Sequence, residues 1–327
     1  MTEKTRWGIL GTGAIAEKFA NGLKVLDHAE LIAVGSRSAD SARRFADAFD
    51  VPHQHASYEQ LAADADVDVI YIATPHSLHA ENAILCLEAN KAVLCEKPFT
   101  LNATQAQEVI DTARRRGLFL MEAMWTRFLP VMVKFRELLR TSAIGEPRLL
   151  AADFGFAAPV NPDSRLFNPA LGGGALLDVG VYGISLSSMI FGTPVEVSGT
   201  AHLGQTGVDE QSACVLKGPA GQLSVLTSAI RVRTRQEAVL MGTEGTIRLY
   251  SPWWCSTKLS LSGGNRHEEV FELPYRGNGY NCEAAEVIDC LRAGKLESDS
   301  MPLDESLAVM RTMDTIRAHW GLKYPTE

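Results

Sequence analysis

No Cys-x-x-Cys pair occurs in the 327 residues; Cys86, Cys95, Cys214, Cys255, Cys282 and Cys290 stand apart, most of them in apolar neighbourhoods. That spacing argues against disulfides and cysteine-zinc motifs and reads as buried thiols. Basic charge is also in short supply, with 31 lysines and arginines against 39 acids and a formal net charge of −8. A nucleic-acid surface or an attachment to anionic lipid calls for a basic face, so neither partner is expected. Between Met1 and Gly11 there are few apolar residues, which predicts neither a signal peptide nor a spanning helix and leaves a cytoplasmic protein as the expectation. Internal repeats, heptad seams and low-complexity linkers are missing as well.

What is present is the composition of an ordinary globular protein, 46% hydrophobic and 21% charged. The chain exceeds the roughly 250 to 300 residues at which single cores stop growing, so two domains are expected. Up to Met124 short apolar runs alternate with helical patterns. Strands are predicted at Trp7–Leu10, Leu31–Val34, Val69–Ala73, Ala92–Cys95 and Phe119–Met121. Helices fall between them at Ile15–Leu26, Ser38–Phe49, His79–Ala89 and Thr104–Arg116. The fold class is therefore α/β, with a doubly wound parallel sheet over residues 1–124. Continuous apolar runs such as Val69–Ala73 suit strands covered on both faces.

From Trp125 to Glu327 the rhythm changes. Helices are predicted at Met132–Leu139, Ala175–Ile190, Asn281–Arg292 and Asp304–Trp320, and strands at Arg148–Phe154, Gln222–Ile230, Glu237–Met241 and Thr246–Tyr250. A turn at Gly242–Gly245 joins the last two, so this second α/β domain is expected to hold an open, mostly antiparallel sheet. Val225, Thr227, Ala229, Val239, Met241, Ile247 and Leu249 would give that sheet an uncovered apolar face, and with it a homodimer.

Gly11-Thr12-Gly13-Ala14-Ile15-Ala16 follows the first strand and opens the first helix, the context in which G-x-G-x-x-A binds a dinucleotide. Gly11 makes the tight turn, Gly13 admits the pyrophosphate, and Ala16 lets helix and strand pack closely, while the helix N-terminus offers amide donors. Where an acid would meet the ribose 2′-hydroxyl, the second strand ends in Ser36-Arg37. A guanidinium there suits a 2′-phosphate, so NADP is expected ahead of NAD.

Glu96-Lys97-Pro98 sits directly behind a buried apolar run. Charges placed there cost free energy unless they are paired or used, and the carboxyl ends of parallel strands are where open α/β sheets bind ligands. Lys97 is therefore a candidate site residue. Trp125 and Arg127 follow the last parallel strand, at the crossing into the second domain, and are candidates for contact with nicotinamide or substrate.

The segments Gly11–Ala16, Ala73–His79, Cys95–Phe99 and Gly172–Gly183, in this order and spacing, resemble the Gfo/Idh/MocA oxidoreductase family. Met121–Phe128, together with Tyr182, is similar to its branch of NADP-dependent dimeric dihydrodiol and D-xylose dehydrogenases. The resemblance implies a nicotinamide cofactor and hydride transfer at a carbon of a sugar, polyol or trans-dihydrodiol. It also implies that Glu96 and Lys97 line the nicotinamide pocket, with the Lys97–Pro98 bond often cis. Thr74 and Pro75 would face the cofactor bridge, His79 holds a motif position beside them, and Arg165 and Tyr280 stand where substrate is contacted. Asp178 and Tyr182, four apart on a predicted helix, would share one face. Many family members carry histidine where this chain has Tyr182, so here the tyrosine is expected to exchange the proton. Lys97 would favour its phenolate and bind the reacting oxygen, and Asp178 would orient the substrate hydroxyl. His76 and His79 lack a third ligand at suitable spacing, and no metal is expected. The competing reading is an NADP-binding sensor that has lost catalysis; the joint presence of Lys97, Asp178 and Tyr182 argues against it.

Overall fold

The computed structural model describes residues 4–264 and 266–327. In the first part of the chain the elements run β1 (Thr5–Leu10), α1 (Ala14–Leu23), β2 (Ala29–Gly35), α2 (Ala39–Phe49), β3 (His53–His55) and α3 (Tyr58–Ala62). They continue with β4 (Val69–Ile72), α4 (His79–Glu88), β5 (Ala92–Glu96), α5 (Ala103–Arg116) and β6 (Leu120–Ala123). The six strands form one all-parallel sheet in the order β3-β2-β1-β4-β5-β6. Every residue of β4 and β5 is buried, as their continuous apolar runs predict. Local chemistry sets the helix starts: Ser38, Ser57 and Asn102 each accept a backbone N–H from the first turn of α2, α3 and α5. Gly117, in the left-handed region, ends α5.

The second part begins with α6 (Pro130–Arg140) and β7 (Pro147–Gly155), then a π-helical turn at Leu176–Gly180 leads into α7 (Val181–Phe191). Strands follow as β8 (Glu196–Leu203), β9 (Asp209–Lys217), β10 (Leu223–Ala229), β11 (Ala238–Gly242), β12 (Thr246–Leu249), β13 (Lys258–Gly263) and β14 (Arg266–Glu272). Helices α8 (Tyr280–Arg292) and α9 (Leu303–Trp320) close the chain. The eight strands make a sheet in the order β14-β13-β12-β11-β7-β10-β9-β8, in which β7 and β10 pair in parallel and the other neighbours are antiparallel. Helix α7 packs on β7 and β10. The segment Pro169–Phe191 is apolar and long enough to cross a membrane, yet 83% of its most apolar stretch is buried within the protein.

The chain divides into two compact units, Met1–Phe128 with Arg276–Ser306, and Leu129–Tyr275 with Leu307–Glu327. The expected division into 1–124 and 125–327 differs from this, because Arg276–Ser306 returns to the first unit. The cause is the buried face of α8. Tyr280, Ala284, Val287 and Ile288 are buried there, and the helix packs on α1 and on the turn at Trp125–Phe128.

The face of the large sheet turned away from α7 is less apolar than its sequence implies. Across five strands Val215, Val225, Ala151, Val239 and Arg248 are successive cross-strand neighbours, so they share that face. Val215 and Val225 are 38% and 42% exposed. Ile247 and Leu249, expected beside them, are 0% and 1% exposed. Because Val239 pairs with Arg248, the intervening residues of β12 point to the covered side.

Candidate functional site

The loop after β1 has the shape its glycines require. Gly11 has φ of +106°, and a Cβ there would stand 2.8 Å from the carbonyl oxygen of Ala73. A Cβ on Gly13 would meet nothing within 4 Å. Gly13 precedes α1 without a capping side chain, so no N-cap side chain takes up the first-turn N–H groups of Ala14, Ile15 and Ala16. Ala16 itself is fully buried against the sheet. This is a helix N-terminus with room for a dinucleotide phosphate, so the residues fit the cofactor that the motif implies.

At the end of β2, Ser36 is buried and Arg37 exposed. The Ser36 Oγ accepts the N–H of Ser38 at 3.4 Å, and the N–H of Ser36 donates to the carbonyl of His55 at 3.1 Å. The Arg37 guanidinium bonds the Tyr58 phenol, which no sequence pattern had singled out, and steadies a cation that would otherwise be free to swing.

Behind β4 and β5 the candidate residues interlock. The Lys97–Pro98 peptide is cis. Glu96 is 4% exposed; its carboxylate accepts the Tyr71 phenol and the N–H of Lys97, the latter at 3.1 Å. Thr74 Oγ1 accepts Asn82 Nδ2 at 3.2 Å, and Pro75 begins the turn into α4. His79 is fully buried, with Nδ1 at 2.9 Å from the Pro98 carbonyl and Nε2 at 2.9 Å from the Thr74 carbonyl. Both partners are acceptors, while burial, the largest influence, pushes the imidazole pKa down. His79 thus ties the β4 turn to the cis loop. Both its ring nitrogens lie against main-chain carbonyls, so the side chain holds these two turns together.

Trp125 and Arg127 are also committed within the first unit. The Trp125 indole stacks on Tyr280 with ring centroids 4.7 Å apart. Arg127 is 3% exposed, pairs with Glu305 at 2.7 Å and donates to the Ser300 carbonyl at 3.2 Å. One turn along α8 from Tyr280 lies Glu283, fully buried, with neither carboxyl oxygen hydrogen-bonded among the described residues. Burial, and then the charge of Glu96, drive its pKa well above the usual carboxylate range. Both influences favour the protonated form of Glu283. Sequence reading missed it, because its partner Glu96 belongs to a distant strand.

In the second unit Asp178 occupies the π-helical turn, where the N–H of Val181 reaches back to the carbonyl of Leu176. The wider turn replaces the straight α-helix expected beneath Asp178 and Tyr182. Asp178 is 5% and Tyr182 6% exposed. Arg165 Nη1 donates to Asp178 Oδ1 at 2.8 Å, and the Tyr182 ring packs on Phe154 at 5.3 Å between centroids. Ahead of the turn, a Cβ on Gly173 would lie 2.8 Å from the Leu166 carbonyl, and one on Gly174 would lie 2.2 Å from Asp209 Oδ1. These glycines make room for the protein's own chain. Asp209 Oδ2 accepts the Leu176 N–H at 2.7 Å and so fixes the start of the turn.

Residues 5–124 match the model of an oxidoreductase family with an NAD-binding Rossmann fold, and residues 132–248 match the C-terminal domain model of the same Gfo/Idh/MocA family. The trans-1,2-dihydrobenzene-1,2-diol dehydrogenase of Xenopus tropicalis is 37% identical over 98% of this chain and 99% of its own. The human enzyme of that name is likewise 37% identical, over 98% of each. Among solved structures, a 3-ketoreductase from Actinomadura kijaniata in complex with NADP and TDP-benzene superposes with a TM-score of 0.85 at 26% identity, covering 97% of this chain and 98% of its own. That ketoreductase has also been solved with a lysine replaced by alanine and with a tyrosine replaced by phenylalanine. Matched in both domains and aligned end to end with dehydrogenases, the chain belongs to the Gfo/Idh/MocA family of oxidoreductases.

Proposed function

We propose that the protein is an NADP-dependent dehydrogenase or reductase acting on a CH–OH carbon of a trans-dihydrodiol, sugar or polyol. The observation that carries the cofactor choice is the end of β2, where Ser36 and Arg37 replace the acid that would favour NAD. The diol reading rests on the relatives aligned end to end, and the reductase direction on the 3-ketoreductase neighbour.

When bound, the nicotinamide gives or takes the hydride. The chain's own residues handle the proton and the oxygen. Lys97 presents an ammonium to the reacting oxygen, Tyr182 gives or receives the proton, and Asp178, held by Arg165, accepts a substrate hydroxyl. The protein works as a cytoplasmic homodimer joined through the uncovered sheet face, where Val215, Val225 and Val239 make an apolar row.

The deciding experiment is a panel of trans-dihydrodiols, aldoses and keto sugars, each tried with NADP, NAD and their reduced forms by absorbance of the reduced cofactor. Turnover of at least one diol or sugar with NADP, and slower turnover with NAD, is expected. Tight NADP binding with no turnover of any member would replace this reading with that of a nucleotide sensor.

A further inference from the structure

His53 and His55 alternate on β3, so both imidazoles project from one face of the strand. Asp64, in the turn after α3, sets one carboxylate oxygen between them. Oδ2 lies 2.7 Å from His53 Nδ1 and 2.9 Å from His55 Nε2, and the three donor atoms all fall within 4.8 Å of one another. The other oxygen, Oδ1, accepts the N–H of Asp66 at 3.0 Å, which turns Oδ2 toward the imidazoles. Lys91 fixes the same turn by donating to the carbonyls of Asp64 and Val67 at 2.5 and 2.8 Å.

We propose that His53 Nδ1, His55 Nε2 and the Asp64 carboxylate form a binding site for a divalent cation of the zinc class, with water as the fourth ligand. Two imidazoles and one carboxylate are a donor set that zinc accepts. Donors about 2.0 to 2.2 Å from a tetrahedral ion stand about 3.3 Å apart, so the present contacts need to open by roughly half an ångström. Side chains 36%, 21% and 8% exposed leave a path for the ion and its water. On binding, each neutral imidazole takes the tautomer with its proton on the ring nitrogen away from the ion, and the contacts to Asp64 are exchanged for bonds to the metal. Asp66 and Asp68 add negative charge to the same turn and already pair with Arg6 at 3.4 and 2.8 Å, which offsets the nearby Lys91 ammonium.

The full-length protein, stripped with a chelator, would be titrated with zinc chloride in competition with a chromophoric chelator. One equivalent bound in the micromolar range is expected. His55→Gln and Asp64→Asn should each weaken it by at least about tenfold, since loss of even an outer partner costs that much. His319→Gln should change nothing. Zinc should raise the melting temperature of the unmodified protein and leave that of His55→Gln unmoved. Cobalt(II) on the unmodified protein should give four-coordinate visible bands without a thiolate charge-transfer band, a reading that holds even where a variant fails to fold. Absence of stoichiometric binding, binding unchanged in both variants, or a thiolate band would overturn the site and leave Asp64 as a hydrogen-bonded staple.

Discussion

Arg165 reaches Asp178 at 2.8 Å and joins an exposed side chain to a buried one: the arginine side chain is 55% exposed and the aspartate 6%. The buried partner is the proposed hydroxyl acceptor, and the exposed one holds its Oδ1 in place. Asp178→Asn and Arg165→Met should each lower kcat/KM, and in a double-mutant cycle the pair should show coupling of about 1 kcal/mol. Strictly additive losses would mean that the ion pair has no part in orienting substrate.

Tyr182→Phe removes the proposed proton carrier and preserves the ring that packs on Phe154. A fall in kcat of about a hundredfold or more is expected, with NADP affinity nearly unchanged. Lys97→Met should also depress kcat, and the two losses should be non-additive because both act on one oxygen. Near-normal turnover by Tyr182→Phe, on a substrate the unmodified enzyme uses well, would send the proton through another group.

Arg37→Asp replaces a cation steadied by Tyr58 with a charge that repels phosphate. NADP binding should weaken by about tenfold or more while NAD binding weakens far less. Titration calorimetry with both nucleotides is the check, and equal losses would remove Arg37 from cofactor selection.

Val225→Glu and Val239→Lys place charge in the middle of the uncovered apolar row. Either should move the sedimenting species from dimer to monomer at micromolar protein. A monomer in the unmodified protein would end the dimer proposal.

Asp209 supplies the pH prediction. Burial lifts its carboxyl pKa from 3.8 to about 7. The raised pKa means that the folded state holds the proton more tightly than the unfolded chain. The resulting stability is complete below pH 3.8 and is lost as pH climbs toward about 7. Asp209→Asn keeps an acceptor for the Leu176 N–H and removes the titration. Across that interval its unfolding free energy should fall less steeply than that of the unmodified protein, by up to about 1.4 kcal/mol per pH unit. Parallel slopes in urea unfolding would show that the group does not titrate with folding.

Much of this was legible from local chemistry. The turn at Gly11–Gly13, the buried runs of β4 and β5 and the lysine behind them all depend on neighbours in sequence. Strand β3 escaped because three polar residues have no period to detect, and β8 because none of its residues is fully buried. The face assignment of Ile247 and Leu249 failed because it depends on register with β11, and periodicity within one strand leaves register open. Glu283, Tyr58 and Asp209 were invisible for a related reason. Each acquires its role from a residue that only folding brings near.

The passage of the chain back into the first unit at Arg276–Ser306 bears on how such a protein can be recombined. A chimera that exchanges everything after Phe128 for a relative's sequence would import a foreign α8, and with it a foreign Tyr280 beneath Trp125 and a foreign carboxyl beside Glu96. The transplant that respects the physical unit has three junctions, after Phe128, Tyr275 and Ser306. Between relatives at about one-third identity, single-crossover hybrids at Phe128 should therefore lose cofactor-unit stability, while three-junction hybrids retain it.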